Sequence, residues 1–346
     1  MSFSRLDPQD FVVSADSVAS PTWSGNKNTL TTFFISSTQV SSSAGNFYLD
    51  VYDANPLITS SAEVQFSIAY ANKTGEGAIP YYGTTGTSPT QTLYGQMRNL
   101  LLEDEYSDFQ FGTGNNIITG SDFYVININR ARYKEKLLPG AWNLNLSYDV
   151  FHGEFKLTDN SKDIILPEYY GTQRVYQIVF GNNGHGNNNM GTYFDAMVES
   201  NGYTPNSGSF GLFFPDTGLI LLNAKALDDY IQLGTTKTYT DVHNEKKLFQ
   251  NFSNGSFQMM SEETITSNYI FIRARNSEFN YSENPSFISG STGEIVWDNF
   301  INNPQTYATT IGLYNDSNEL LAVSKLSKPL LKDFTKECLL RLKLDF

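Results

Sequence analysis

Four cations stand at alternate positions in the middle of this chain: Arg130, Arg132, Lys134 and Lys136. On extended backbone such residues project from one face, and the row repels itself unless water or acids lie opposite. The chemistry on offer is recognition rather than turnover, because a cationic row that meets an acidic surface fixes register and orientation. A second cluster, Lys325, Lys328, Lys332 and Lys336, continued by Arg341 and Lys343, follows near the end. With 23 Lys and Arg against 36 Asp and Glu the formal net charge is −13, so both clusters stand out. These eight residues, four from each cluster, are the expected partner interface. The plainer alternative is that water or the chain's own acids neutralise them.

Other residue types that carry chemistry lack the spacing that chemistry needs. His152, His185 and His243 lie in three separate contexts, whereas a metal site needs converging ligands. Glu103, Asp104, Glu105 and Asp108 crowd together, yet neither a calcium-loop spacing nor a glycosidase pair on facing strands can be drawn from them. They read as a solvated acidic corner at a helix end, able to face the cationic rows in a repeated assembly. Gly181-Asn182-Asn183-Gly184-His185-Gly186 follows a strand without either nucleotide-binding spacing, and reads as an exposed loop. No Gly-x-Ser-x-Gly elbow, phosphate-binding loop or Cys/His dyad is visible. The expectation is a protein that is not an enzyme and uses no cofactor or metal.

The elements that must position the cations read as strands. Charged residues are only 17%, aromatic residues 14%, with 21 Tyr and 25 Phe among many Ser, Thr, Asn and Gly, a mixture that favours strands joined by turns. The predicted strands are Leu30 to Ser36, Asn46 to Tyr52, Val64 to Tyr70, Phe123 to Ile128, Trp142 to Val150, Val175 to Phe180 and Tyr269 to Arg275. Leu93, Met97, Leu100 and Leu101 repeat at helical spacing within Thr90 to Glu103, and short helices are predicted at Leu227 to Leu233 and Asp241 to Phe252. Gly211 to Leu222 reads as a hairpin turning at Pro215-Asp216-Thr217-Gly218, echoed by Gly312 to Val323. The close, Phe334 to Phe346, alternates strictly, with Cys338, Leu340, Leu342, Leu344 and Phe346 on one side. Cys338 is the single cysteine, so no intramolecular disulfide forms, and a small buried hydrophobe is its expected role.

The fold expected is mainly β: two or more β-sandwich-like units with a few short helices and long loops. Residues 1–30, broken by Pro8, Pro21 and Gly25, are expected as an extended N-terminal arm lying on a neighbour. Residues 31–168 form a β-rich domain with one helix near 90–103, residues 169–260 a second β/α unit, and residues 261–346 a C-terminal β-region packing back on the first domain. The acidic balance argues against nucleic acid as a partner. No apolar run approaches the roughly 20 residues of a membrane helix, and the first residues lack the layout of a secretory signal, so folding in a cytoplasm is expected. Asn-X-Ser/Thr triplets, among them those at Asn72, Asn145, Asn251, Asn254 and Asn280, follow from abundant Asn and Ser.

Several stretches carry a resemblance. Asn284-Pro285-Ser286-Phe287, Thr309-Thr310-Ile311-Gly312-Leu313-Tyr314-Asn315-Asp316, Leu320-Leu321-Ala322-Val323 and Lys325-Leu326-Ser327-Lys328-Pro329 lie in the last third. Val64-Gln65-Phe66-Ser67-Ile68-Ala69-Tyr70 and Asn129-Arg130-Ala131-Arg132-Tyr133-Lys134-Glu135-Lys136-Leu137 lie upstream. Together they resemble virion structural and baseplate wedge proteins of T4-like contractile-tailed phages, especially marine and cyanobacterial ones. The resemblance implies a non-enzymatic tail subunit in the virion, with other tail or baseplate proteins and repeated copies in a symmetric ring as partners. It supplies no catalytic residues. Another virion station, such as the neck, the tail terminus or a fibre-attachment ring, fits the same features. A receptor- or carbohydrate-binding module stacking sugars on Tyr81, Tyr82 and Trp297 is the alternative from another class, and a polysaccharide hydrolase lacks its carboxylate pair.

Overall fold

The structure is a computed structural model that describes residues 4–36, 47–77, 88–112, 117–147, 154–186, 208–234, 243–252 and 255–345. The fold is mainly β, with few and short helices. Two compact units divide the chain: one continuous, residues 18–263, and one built from both ends, Met1–Ser17 with Thr264–Phe346.

In the continuous unit, the segments Phe123 to Ile128 and Leu219 to Leu222 are apolar at nearly every position, the signature of strands covered on both faces. They sit at the centre of a thirteen-stranded sheet. Its main path runs Thr29–Leu30, Ser256–Gln258, Asn143–Ser147, Glu154–Asp159, Gln173–Asn182, Gly211–Phe214, Leu219–Asn223, Asp122–Ile128, Val64–Asn72, Tyr48–Tyr52, Phe34–Ile35, and Glu168–Tyr170 and His185–Gly186 branch off by pairing with Gln173–Asn182. The pairs are antiparallel, with Ile220 opposite Ile126 and Ile68 opposite Ile126 on its other side.

One face of this sheet presents Phe66, Ile68, Tyr124, Ile126, Ile220 and Leu222 to the helices Ala224–Ile231 and Asn244–Phe252. The other presents Phe123, Val125, Leu212, Phe214 and Leu221 to Tyr94 and Leu101 of the helix Pro89–Leu101. That helix starts one residue before the predicted Thr90 and ends two before Glu103; the Ser88 hydroxyl accepts from the Gln91 amide and Pro89 fills a first-turn position that needs no N–H. The hairpin also turns where predicted. Gly218 takes φ +71°, and a Cβ there would fall 2.6 Å from the Tyr133 hydroxyl, so only glycine fits.

Two expectations are corrected. Residues 1–30 are not a free arm: Phe11–Pro21 is a strand, Thr29–Leu30 joins the large sheet, and Trp23 is 2% exposed with its indole N–H donating to the Phe257 carbonyl at 2.8 Å. Residues 31–168 and 169–260 are not separate domains, since Leu219–Asn223 pairs along Asp122–Ile128 and makes one sheet of both. Continuous burial on both faces drives that union, because neither half could cover its own apolar strands.

In the unit built from both ends, Ser267 to Ala274 pairs antiparallel with Cys338 to Asp345, Ile270 opposite Leu342. The predicted alternation of the last strand holds, with Cys338, Leu340, Leu342 and Leu344 half-buried and their neighbours exposed. Phe346 lies outside the described residues. A separate hairpin joins Thr306–Tyr314 to Leu320–Lys332.

Candidate functional site

The first cationic row does not share one face. Asn129 caps a tight turn, its side-chain oxygen accepting from the Ala131 amide at 3.0 Å, so Arg130 to Arg132 form a 3-10 turn instead of strand. Each cation then takes its own partner. The Arg130 guanidinium stacks over the Tyr133 ring at 4.6 Å and donates to the Tyr133 carbonyl. Arg132 pairs with Glu63 at 2.7 Å, Lys134 with Glu263 at 2.5 Å and Lys136 with Glu262 at 3.7 Å. Three of the four cations are therefore paired with the chain's own acids, and Arg130 rests on Tyr133. Lys134 is 62% exposed, and such surface pairs contribute at most about 1 kcal/mol each.

The second cluster separates into four kinds of environment. Lys325 and Lys328 are exposed on Leu320–Lys332. Lys336 pairs with Asp333 at 3.7 Å, and Lys343 with Asp345 at 3.0 Å, which raises the Lys343 ammonium above its ordinary range. Arg341 lies over the Tyr269 ring at 5.4 Å. Lys332 is 2% exposed, and its ammonium donates to the Asn276 carbonyl at 3.1 Å, Asn280 Oδ1 at 2.9 Å and the Asp333 carbonyl at 3.1 Å. Lys332 is thus a buried tie between a strand and the loop before it, not a surface contact, and no feature of its sequence neighbourhood announces this.

Three of the four carboxylates in the acidic corner are bonded within the chain. Glu103 accepts from the backbone and hydroxyl of Thr172, and Asp108 pairs with Lys73 at 2.6 Å. Asp104 accepts from the Ser107 hydroxyl and the Tyr106 amide, and the Ser107 bond foremost holds its carboxyl below the usual range. Among the described residues no group of three His, Cys, Asp or Glu side chains could hold a metal ion. His185 meets Asp163 at 2.9 Å and His243 meets Glu245 at 3.0 Å, while His152 lies outside the described residues. The Gly184 and Gly186 amides are bound to Thr158 and Asp163, so this loop does not offer those donors to an anion. Tyr81 and Tyr82 lie outside the described residues, and Trp297 is exposed with its indole donating to the Ser286 carbonyl at 3.2 Å.

The surface that remains is apolar as much as charged. Tyr307, Leu321, Val323 and Leu339 are each more than half exposed in the unit built from both chain ends. A cleft of about 240 Å³ lies there too, walled by Leu313, Val323 and Leu342 and rimmed by Arg341 and Lys343. Among the described residues no helix is long and apolar enough to cross a membrane. No protein-family model, no curated protein and no solved structure matches this chain.

Proposed function

We propose that this chain is a non-enzymatic structural subunit of a contractile phage tail, a baseplate wedge component that holds neighbouring subunits in register. One observation carries the reading: the unit built from both chain ends has almost no closed core. Among its described residues Ile270, Ala274 and Phe287 are the buried apolar side chains. Its long strands instead leave Tyr307, Leu321, Val323 and Leu339 in solvent, and large apolar groups left exposed together on one unit favour association.

The continuous unit, filled on both sheet faces, supplies a stiff body; the other supplies surface that a neighbour completes. The sequence resemblance to tail proteins supports the setting, and many modest contacts repeated around a ring give avidity without one tight site. Immunogold labelling of intact virions with an antibody to this chain tests the proposal. Label at the distal tail plate is the expected result. Label at the neck would move the subunit to another station, and virions without label would overturn the reading.

A further inference from the structure

Every sheet edge invites another strand, and natural proteins protect edges by shortness, charge, proline or bulges. The large sheet ends in two-residue strands, Thr29–Leu30 and Phe34–Ile35. The edge Cys338–Asp345 carries Arg341, Lys343 and Asp345, and the edge Phe11–Pro21 carries Asp16 and a terminal proline.

The small sheet of Phe109–Phe111 with Ile118–Gly120 has strands of only three residues. In the hairpin of Thr306–Tyr314 with Leu320–Lys332 the two strands differ sharply. Leu320–Lys332 carries Lys325, Lys328 and Pro329. Its ladder also jumps, from Ala308 opposite Leu330 to Thr310 opposite Lys325, so four residues, Leu326 to Pro329, face Thr309 alone. A bulge of that size closes the edge to pairing. Thr306–Tyr314, Thr-Tyr-Ala-Thr-Thr-Ile-Gly-Leu-Tyr, has none of these devices: nine residues, no charge and no proline. Its one glycine is covered, since a Cβ on Gly312 would lie 2.8 Å from the Tyr314 ring. Among the described residues this strand ladders with Leu320–Lys332 alone.

We infer that Thr306–Tyr314 is a self-pairing edge, on which two copies of this chain join antiparallel across a two-fold axis. A second copy is the occupant that closes both open edges at once, because each hairpin has one open strand and one guarded strand. Copies of net charge −13 repel over most of their surface, but this strand sets only neutral Thr, Tyr, Ala, Ile, Leu and Gly against their counterparts. Antiparallel pairing through one strand is isologous, so both copies use the same edge. The result is a four-stranded sheet with a guarded Leu320–Lys332 on each outside, so growth stops at two. The pairing also lifts the hairpin above the three strands that a sheet needs to be stable.

This inference builds on the assembly reading, but its test is separate. Sedimentation equilibrium of the full chain from about 0.1 to 100 μM, the range that spans an ordinary homodimer, should give a monomer–dimer equilibrium. The double variant Tyr307→Lys, Thr309→Lys should raise the dissociation constant at least about tenfold by opposing like charges across the axis. Ser327→Lys, on the guarded strand, should leave it unchanged. If the double variant misfolds, amide exchange of the unaltered chain decides, because protection of residues 306–314 should rise with concentration. A monomer at every concentration overturns the inference, as does association that the double variant leaves intact or growth beyond the dimer. A monomer in solution alongside labelled virions would leave the assembly reading standing; a dimer alongside unlabelled virions would do the reverse.

Discussion

Replacing Lys332 by methionine separates a structural role from a recognition role for this cation. The ammonium is buried and makes three hydrogen bonds to neutral oxygens. Methionine keeps much of the stem and removes the donors. Asn276 is exposed and its carbonyl keeps the Asn280 side-chain amide as a donor, and the Asp333 carbonyl keeps the Lys336 amide at 3.2 Å, but Asn280 is 5% exposed and its Oδ1 loses its donor inside the protein. That stranded acceptor costs about 1–3 kcal/mol. Relief of the buried charge offsets part of it, which leaves a net loss of about 1 kcal/mol. For a unit near 100 residues this corresponds to a melting shift of about 4–8 °C. Amide hydrogen exchange checks it directly: residues 276–280 and the strands Thr306–Tyr314 and Leu320–Lys332 should lose protection, while Leu219–Asn223 in the other unit should not. A double-mutant cycle with Asn280→Ala should show coupling of about 0.5–3 kcal/mol, as expected of groups in direct contact. Unchanged protection, or a more stable Lys332→Met, would refute the reasoning by showing that desolvation of the ammonium cancels all three bonds.

Other outcomes follow from single contacts. Phe66 packs 5.4 Å from both Phe252 and Phe257 and is fully buried, so Phe66→Ala should cost about 3–5 kcal/mol in chemical denaturation. Gly218→Ala forces an L side chain into the left-handed region against Tyr133 and should cost about 1–3 kcal/mol, with Tyr133→Phe relieving only the steric share. Burial pushes the Asp159 carboxyl above its usual range, against opposing hydrogen bonds from Ser161 and Gly140. The folded state therefore holds this proton more tightly than the unfolded state. Its contribution is fully present below the unfolded value of about 3.9 and is lost as pH rises through the higher folded value. The stability of the native protein minus that of Asp159→Asn should accordingly decline as pH rises from about 4, and a flat or rising difference would count against it.

Local chemistry was legible in the sequence where it is decided locally. The Pro215-Asp216-Thr217-Gly218 turn, the helix expected over Thr90 to Glu103 and found at Pro89–Leu101, and the alternation after Cys338 each depend on nearby residues, and all three are present. The cationic row failed for an equally local reason that alternate spacing hides: Asn129 turns the backbone just before Arg130. The union of residues 31–168 with 169–260 was not legible, because strand partners such as Val125 and Leu221 lie far apart in sequence and apolar runs do not name their neighbours. Nor was the fate of Lys332, whose acceptors at Asn276 and Asn280 come from a loop more than fifty residues earlier. The contrast between the two strands of the last hairpin is written in composition, but only their pairing turns it into a guarded edge and an open one.

One unit is built from both ends of the chain while the other is continuous, and this sets an order of events during synthesis. The continuous unit has all its strands once residue 263 has been made, so it can close its core on the ribosome. The other holds its N-terminal segment from the outset and must wait for about 80 more residues, on the order of ten seconds at ordinary elongation rates. The strands Thr306–Tyr314 and Leu320–Lys332, which carry the exposed Tyr307, Leu321 and Val323, are thus made only after the continuous unit has all its strands. Under the pairing inferred above, a nascent chain presents its open edge only once that unit can fold.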